Sequence, residues 1–252
     1  METQWDYTKL AEAYVKRPDY VDEAIDWMLD HACMRRGGLI CDIGAGAAHL
    51  TKAIAERGYR VYAVEPNSEM RKRGVTRTAH LPQISWHEGL GEATGMETGI
   101  FDLVTFGSSF NVCDQQRALK EAHRILKPKG YIACLWNYRD LEDPLQHEIE
   151  RVIREALPDY SYGNRRQDQT KALLQNGLFD KVIHMEASVL HQLTAVDFAD
   201  GWKSHATLQR QSQKKFDNIL KNINDVIDFH SIDGKVIVPY TTHVWMAQWI
   251  GR

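Results

Sequence analysis

Leu39–Leu50, reading LICDIGAGAAHL, is an apolar run that ends in Asp42 and gives way to Gly44, Gly46 and a segment able to start a helix. A strand that stops at a tight glycine turn leaves helix N–H groups unpaired. With no Cβ in the way, a bulky cofactor can also approach the backbone there. Downstream, VYAVEP supplies a second β-rich run, Val61–Val64, that delivers Glu65 to its end. Glu65 lies 21 positions after Gly44, close to the spacing of about 20 at which an acid accepts hydrogen bonds from ribose hydroxyls. The two runs together predict a nucleoside-binding βαβ unit.

Dinucleotide sites and S-adenosylmethionine sites share this geometry, and local chemistry separates them. The third glycine of a dinucleotide fingerprint would fall at His49, where an imidazole crowds the close helix-to-sheet contact that a pyrophosphate site requires. Asp42, two residues before the first glycine, faces a pyrophosphate badly but suits the cationic end of an aminoacyl ligand.

Five blocks, in order, carry a resemblance that covers most of the chain: ICDIGAGAAHL, AVEPNSEM, FDLVTFGSSF from Phe101, EAHRILKPKGYIACLWNYRD from Glu121, and VPYTTHVW from Val238. The chain resembles the class I S-adenosylmethionine-dependent methyltransferases of small-molecule type. The last two blocks are similar to a subgroup whose fifth strand ends in Trp-Asn and whose final strand opens with Pro-Tyr. The resemblance implies an α/β, Rossmann-like, doubly wound and mostly parallel seven-stranded sheet, with an antiparallel C-terminal strand and a helical cap inserted before it.

Patterning is consistent with that expectation. Helices are predicted over Pro18–His31, with Pro18 at the first position, and over Ala47–Gly58, Asn67–Thr78 and Asp114–Lys127. Strands are predicted at Gln83–His87, Phe101–Phe106 and Tyr131–Trp136, the last after a turn at Pro128–Gly130. Such alternation implies a parallel sheet with helices on both faces. Beyond Asn137, helices follow at Leu145–Leu157 and Asp168–Gln175, then strands at Lys181–Leu190 and Pro239–Trp249. The stretch between those strands, helical in spacing from Lys214 to Phe229, is far longer than a hairpin loop. By the resemblance, Thr194–His230 covers the carboxyl ends of the strands as a substrate cap; a peripheral decoration or oligomer contact is the alternative. One domain is expected over 1–252. Its parts are an N-terminal helical segment (1–35), a cofactor-binding core (36–140), the remainder of the core (141–193), the cap (194–235) and a final strand (236–252).

The chain has 252 residues, 43 % of them hydrophobic and 26 % charged, which suits one domain with a sizeable core. A net charge of −3 gives no general attraction to nucleic acid or to an anionic membrane. Basic runs at Arg71–Arg73, Arg165–Arg166 and Lys214–Lys215 read as solvated helix faces. Early charges in METQWDYTKLAEAY do not fit a secretory signal, and no apolar stretch reaches membrane-spanning length, so a cytoplasmic location is expected, as monomer or homodimer. Cys33, Cys41, Cys113 and Cys134 have no paired spacing, so neither a metal site nor a disulfide framework is predicted.

Site residues follow from the resemblance, position by position. Gly44, Ala45 and Gly46 lie beneath the methionine portion of S-adenosylmethionine, Asp42 near its ammonium, Glu65 on the ribose, and Pro66 and Met70 beside the adenosine. Leu90 and Gly91 occupy the adenine positions, where Leu90 departs from the acid often found there. Phe106 offers its backbone carbonyl to the ammonium. In YVKRPDY, Arg17 pairs with the cofactor carboxylate through a bidentate fork and Tyr14 helps close the site; the alternative is a solvated arginine ahead of a helix. Acceptor-facing candidates are Ser109, Phe110, Asn111, Asn137, Tyr138, Trp202 and His205. His205 is the base candidate, since imidazole titrates near neutrality, with a structural histidine as the alternative. His184 and His191 read as sheet-face residues. Transfer from a sulfonium is an in-line displacement whose main requirement is alignment of an acceptor lone pair, and a base enters only for a protonated acceptor. Three other classes stay open: an RNA or protein methyltransferase, a nicotinamide-dependent dehydrogenase, and a non-catalytic cofactor-binding module.

Overall fold

The structure, a computed structural model, describes residues 6–250. The first five residues of the N-terminal segment and the last two of the final strand therefore lie outside the described residues. In chain order the elements are α1 (Ala11–Tyr14), α2 (Asp22–His31), β1 (Leu39–Ile43), α3 (His49–Glu56), β2 (Arg60–Val64), α4 (Ser68–Arg77), β3 (Ile84–His87) and β4 (Phe101–Gly107). There follow α5 (Gln115–Ile125), β5 (Leu126–Arg139), α6 (Pro144–Ala156), α7 (Thr170–Leu174), β6 (Phe179–Thr194), α8 (Ala195–Trp202), α9 (Ala206–Ser212), α10 (Phe216–His230) and β7 (Lys235–Trp249).

The seven strands form one sheet in the order β3-β2-β1-β4-β5-β7-β6, parallel from β3 through β5. β7 runs antiparallel to both β5 and β6. Central strands are buried on both faces, so their apolar residues sort by parity. Cys41, Ile43, Val104, Phe106, Cys134 and Trp136 pack under α5 and α7. Ile40, Leu103, Ala133 and Leu135 pack under α2 and α3. Each Val, Leu, Ile or Phe side chain among them, removed from water, contributes about 1.5–3 kcal/mol. Cys41 and Cys134 are free and fully buried, acting as small hydrophobes.

A third core joins α6 to α8, α9 and α10, with Ile149 and Ile153 meeting Trp202, Leu208, Ile219, Ile223 and Ile227 over Val236, Val238 and Tyr240 of β7. α6, expected in the remainder of the core, thus packs against the helices of the cap. The two arms β6 and β7 are each four residues longer at the cap end than their patterning predicts, pairing out to Thr194 opposite Lys235. At that neck Ala195 N–H donates to the Gly234 carbonyl at 2.9 Å.

Other boundaries also differ from expectation. α2 begins at Asp22, and Pro18 is not its first residue. Val21 stays extended because its N–H donates to Thr242 Oγ1 at 2.9 Å, and Tyr20 Oη sits 2.9 Å from Ser108 Oγ. α3 begins at His49, after Ala48 adopts a left-handed conformation (φ 69°). Pro128–Gly130 does not break the ladder; it forms an irregularity in β5, with Lys129 at φ 67° and the register shifting between Phe101 and Leu103. Capping went as the sequence indicates. Asn67 accepts from Glu69 and Met70 N–H, and Asp114 from Arg117 N–H. Among the described residues, no helix is long and apolar enough to cross a membrane.

Candidate functional site

A continuous cleft runs across the carboxyl ends of β1, β2, β4 and β5, beneath the cap. Its two halves share Tyr7, Tyr14, Gly44, Gly46, Gly107, Ser108, Asn111 and Val112. The half over β2 has a volume of ≈ 550 Å³ and is lined by Glu65, Pro66, Met70, Leu90, Gly91 and Ser109. The half under the cap has ≈ 130 Å³ and is lined by Arg17, Asp42, Ala45, Trp136, Asn137, Tyr138 and His205.

The glycine turn is built for close approach. Gly44 has φ 68°, and a Cβ there would fall 2.4 Å from Ser109 Cβ. Glu65, only 7 % exposed, ties this turn to the next: its Oε2 accepts from Gly46 N–H at 2.8 Å and its Oε1 from Asn67 N–H at 2.9 Å. Burial raises its carboxyl above the ordinary value, against the lowering effect of those two N–H groups. Asp42 accepts from Thr51 Oγ1 at 2.5 Å and Thr105 Oγ1 at 2.9 Å. Burial nevertheless pushes its carboxyl up to about 6.

Phe106 is fully buried in the sheet core, and β4 runs one residue further, so that Gly107 and Ser108 line the cleft beside the expected carbonyl. Phe110 is likewise fully buried, edge-on to Phe106, and does not line the cleft. Ser109 lines the β2 half rather than the cap half, and its hydroxyl donates to the Ile43 carbonyl at 2.5 Å. Trp202, 2 % exposed, lies behind the wall with its ring stacked 4.3 Å from that of His205. Asn137 lines the cleft, but its amide donates to the carbonyls of Pro18 (3.2 Å) and Asp19 (2.9 Å), which fixes the N-terminal segment on the sheet.

Arg17 also lines the cleft, with its fork turned toward the cap. Nε donates to Ser204 Oγ at 2.7 Å and Nη2 to the Ser204 carbonyl at 2.6 Å, while the guanidinium covers Tyr14 at 4.1 Å. His205 is held well below its usual pKa by burial, with Arg17, Arg165 and Arg139 adding to the effect. That shift favours the neutral imidazole and weakens it as a base.

Sequence reasoning missed several lining residues. His49, at the third-glycine position, points to the N-terminal segment: Nδ1 lies 2.7 Å from Asp19 Oδ1 and Nε2 3.1 Å from the Tyr14 carbonyl. Glu92 places an acid in the β2 half two residues past Leu90, with one oxygen accepting from Asp114 N–H at 2.6 Å. Arg165 and Arg166 line the cap half rather than a solvated helix face, as does Arg139. No local spacing signals a pair of arginines folded inward from a 3-10 turn (Gly163–Arg166). On the sheet surface, His184, Glu186 and His243 bring their ligand atoms within 4.8 Å of one another, a cross-strand grouping also absent from any sequence spacing.

Residues 41–134 match the protein family described as "Methyltransferase domain". The chain is 39 % identical over 137 residues to an uncharacterized methyltransferase of Mycobacterium tuberculosis, covering 54 % of each chain. It is 25 % identical over 243 residues to an uncharacterized methyltransferase of Schizosaccharomyces pombe, covering 88 % of this chain and 92 % of that one. It thus spans about half the length of the mycobacterial relative, and most of the yeast one. Among solved structures, one described as a candidate type II methyltransferase from Anaeromyxobacter dehalogenans superposes with a TM-score of 0.63 at 15 % identity, over 92 % of this chain and 97 % of that one. Geranyl diphosphate C-methyltransferase from Streptomyces coelicolor, solved with S-adenosyl-L-homocysteine, gives 0.50 at 15 % identity over 90 % and 75 %. At such identities the likeness is one of fold.

Proposed function

We propose that this chain, whose residues 41–134 match a methyltransferase domain, is a class I methyltransferase that transfers a methyl group from S-adenosylmethionine to a small-molecule metabolite, in the cytoplasm. One observation carries this reading. A cofactor-sized half-cleft, floored by a glycine turn and an acid, opens directly into a smaller half closed over by the cap. Glu65 would hold the ribose, Gly44–Gly46 the methionine portion, Asp42 the ammonium side, and Pro66, Met70, Leu90 and Gly91 the adenine. The free oxygen of Glu92 would accept from the adenine amino group in place of the acid missing at Leu90. When bound, the cofactor supplies an activated methyl on a sulfonium. The protein's contribution is alignment, which alone is worth on the order of 7–11 kcal/mol. Tyr14, Asn111, Asn137, Tyr138 and His205 shape the space for the acceptor, and the cap excludes water from it.

The test has two steps. Calorimetric titration with S-adenosylhomocysteine should show one site per chain. Incubation with methyl-labelled cofactor and a metabolite panel, read by mass spectrometry, should yield a labelled product. No heat with S-adenosylhomocysteine would overturn the reading; binding without a labelled product would favour a non-catalytic module.

Acid should weaken cofactor binding early. A ligand ammonium favours the ionised form of Asp42, whose carboxyl titrates at about 6, so affinity is full above that value and lost below it. Titrations between pH 7.5 and pH 5 should show a roughly tenfold fall. A flat profile would remove Asp42 from the ammonium.

A further inference from the structure

The cap half of the cleft gathers positive charge from distant parts of the chain. Arg17 comes from the N-terminal segment, Arg139 from the end of β5, and Arg165 and Arg166 from the turn before α7. Among the described lining residues of this half the one carboxylate is Asp42, at the glycine-turn end, already engaged by Thr51 and Thr105. Behind the wall, Glu150 lies 3.0 Å from Arg139 but also serves Arg154 at 2.9 Å. Four guanidiniums thus face one small cavity with a single shared counterion at their back.

Several of their donors are left over. Arg139 donates from Nη2 to Glu150 and Tyr162, yet its buried Nη1 has no partner. Arg166 donates to the Arg139 carbonyl at 3.1 Å. The Arg165 guanidinium makes no hydrogen bond to any described residue; it rests on the face of Tyr162 at 5.1 Å. Burial lowers the Arg165 pKa, and neighbouring Arg17 and Arg139 add to that, against the opposing pull of Tyr160 and Tyr162. Desolvated like charges repel, and unmet donors in a low-dielectric site are costly, so this arrangement does not serve stability. Inward-facing guanidiniums with unmatched donors are the chemistry of an anion-binding site. A planar guanidinium fork matches a carboxylate or phosphate group in two parallel hydrogen bonds.

We propose that the methyl acceptor is a compact organic oxyanion, a carboxylate or a phosphate ester, gripped by Arg139 and Arg165 with Arg166 beside them. This rests on the reading of the cleft as a methyltransferase site. A cavity of ≈ 130 Å³ suits a small metabolite. A neutral isostere would leave the same donors unmet, so the site discriminates by charge more than by shape.

The test is calorimetric titration of the full chain, with and without S-adenosylhomocysteine, against matched pairs: succinate and succinamide, benzoate and benzamide, phenyl phosphate and phenol. The oxyanion of at least one pair should bind at least tenfold more tightly than its neutral partner; which oxyanion does so separates carboxylate from phosphate. Arg165→Gln removes a guanidinium that bonds to no described residue, so the fold should tolerate it. It should reduce oxyanion affinity at least tenfold while leaving S-adenosylhomocysteine affinity unchanged. Arg166→Gln serves as the second variant should the first not fold. Equal affinity within every pair, or undiminished oxyanion binding in the folded variant, would overturn the proposal. Absence of S-adenosylhomocysteine binding would instead overturn the methyltransferase reading, leaving the cofactor-free titrations to decide on the oxyanion.

Discussion

Glu65→Ala should lower affinity for S-adenosylhomocysteine by about 2–3 kcal/mol, roughly 30- to 150-fold, by calorimetry. Two effects combine in that figure. The ribose hydroxyls lose a charged acceptor, and the turn that underlies the methionine portion loses its brace, because Glu65 bonds Gly46 N–H and Asn67 N–H at once. Glu65→Gln separates them. Its remaining carbonyl oxygen can still accept one of the two N–H groups, so an intermediate loss is expected. A thermal melt of both variants measures the bracing term alone. Affinity within threefold of the parent in Glu65→Ala would remove this residue from the ribose.

Glu150→Ala should lower stability by about 3 kcal/mol, because removing one partner of a buried ion pair strands the other. For a chain of this size that corresponds to a fall in Tm of roughly 6–12 °C. Side-chain exposure is 5 % for Arg139 and 14 % for Glu150. Glu150 receives Arg139, Arg154 and the Tyr162 hydroxyl together. Burial pushes its carboxyl up, but Tyr162, Arg139 and Arg154 outweigh that and hold it below the ordinary value. Glu155→Ala on the same helix is the control. Its pair with Arg151 is exposed at 55 % and 62 %, and such pairs contribute under about 1 kcal/mol. Similar melting curves for the two variants would show that the buried pair does not brace the cap.

The sheet and its glycine turn were legible because their signals are local. Short apolar-rich runs at Leu39–Ile43, Val61–Val64 and Phe101–Phe106, separated by helical stretches, read as strands of a parallel sheet, and Asn67 and Asp114 announce the helices they cap. What could not be read is set by partners distant in sequence. Pro18 has the chemistry of a first helical residue, yet Thr242, more than two hundred positions away, holds Val21 extended. The amphipathic stripe of α6 predicts a buried face without saying what buries it, and α10 turns out to be that partner. Arg165 and Arg166 look like any surface pair in the sequence, and only the fold of the turn carrying them brings them to Arg17 and Arg139. Among the expected site residues, those of the glycine turn together with Glu65, Pro66, Met70, Leu90 and Gly91 line the cleft. Phe110 and Trp202 do not line the cleft, because an aromatic beside a cleft is as readily its wall support as its lining.

The neck at Thr194 and Lys235 gives the cap a single root. The forty residues from Ala195 to Gly234 leave and rejoin the sheet side by side, joined by one hydrogen bond. Exchanging that segment breaks no strand pair of β1 to β5, but a replacement must re-cover one face of α6 and restore the partners of Arg17 and Lys16 at Ser204 and Asp197. On the proposed function, the acceptor side of the cleft can therefore change by grafting at one junction while the glycine turn and Glu65 stay in place.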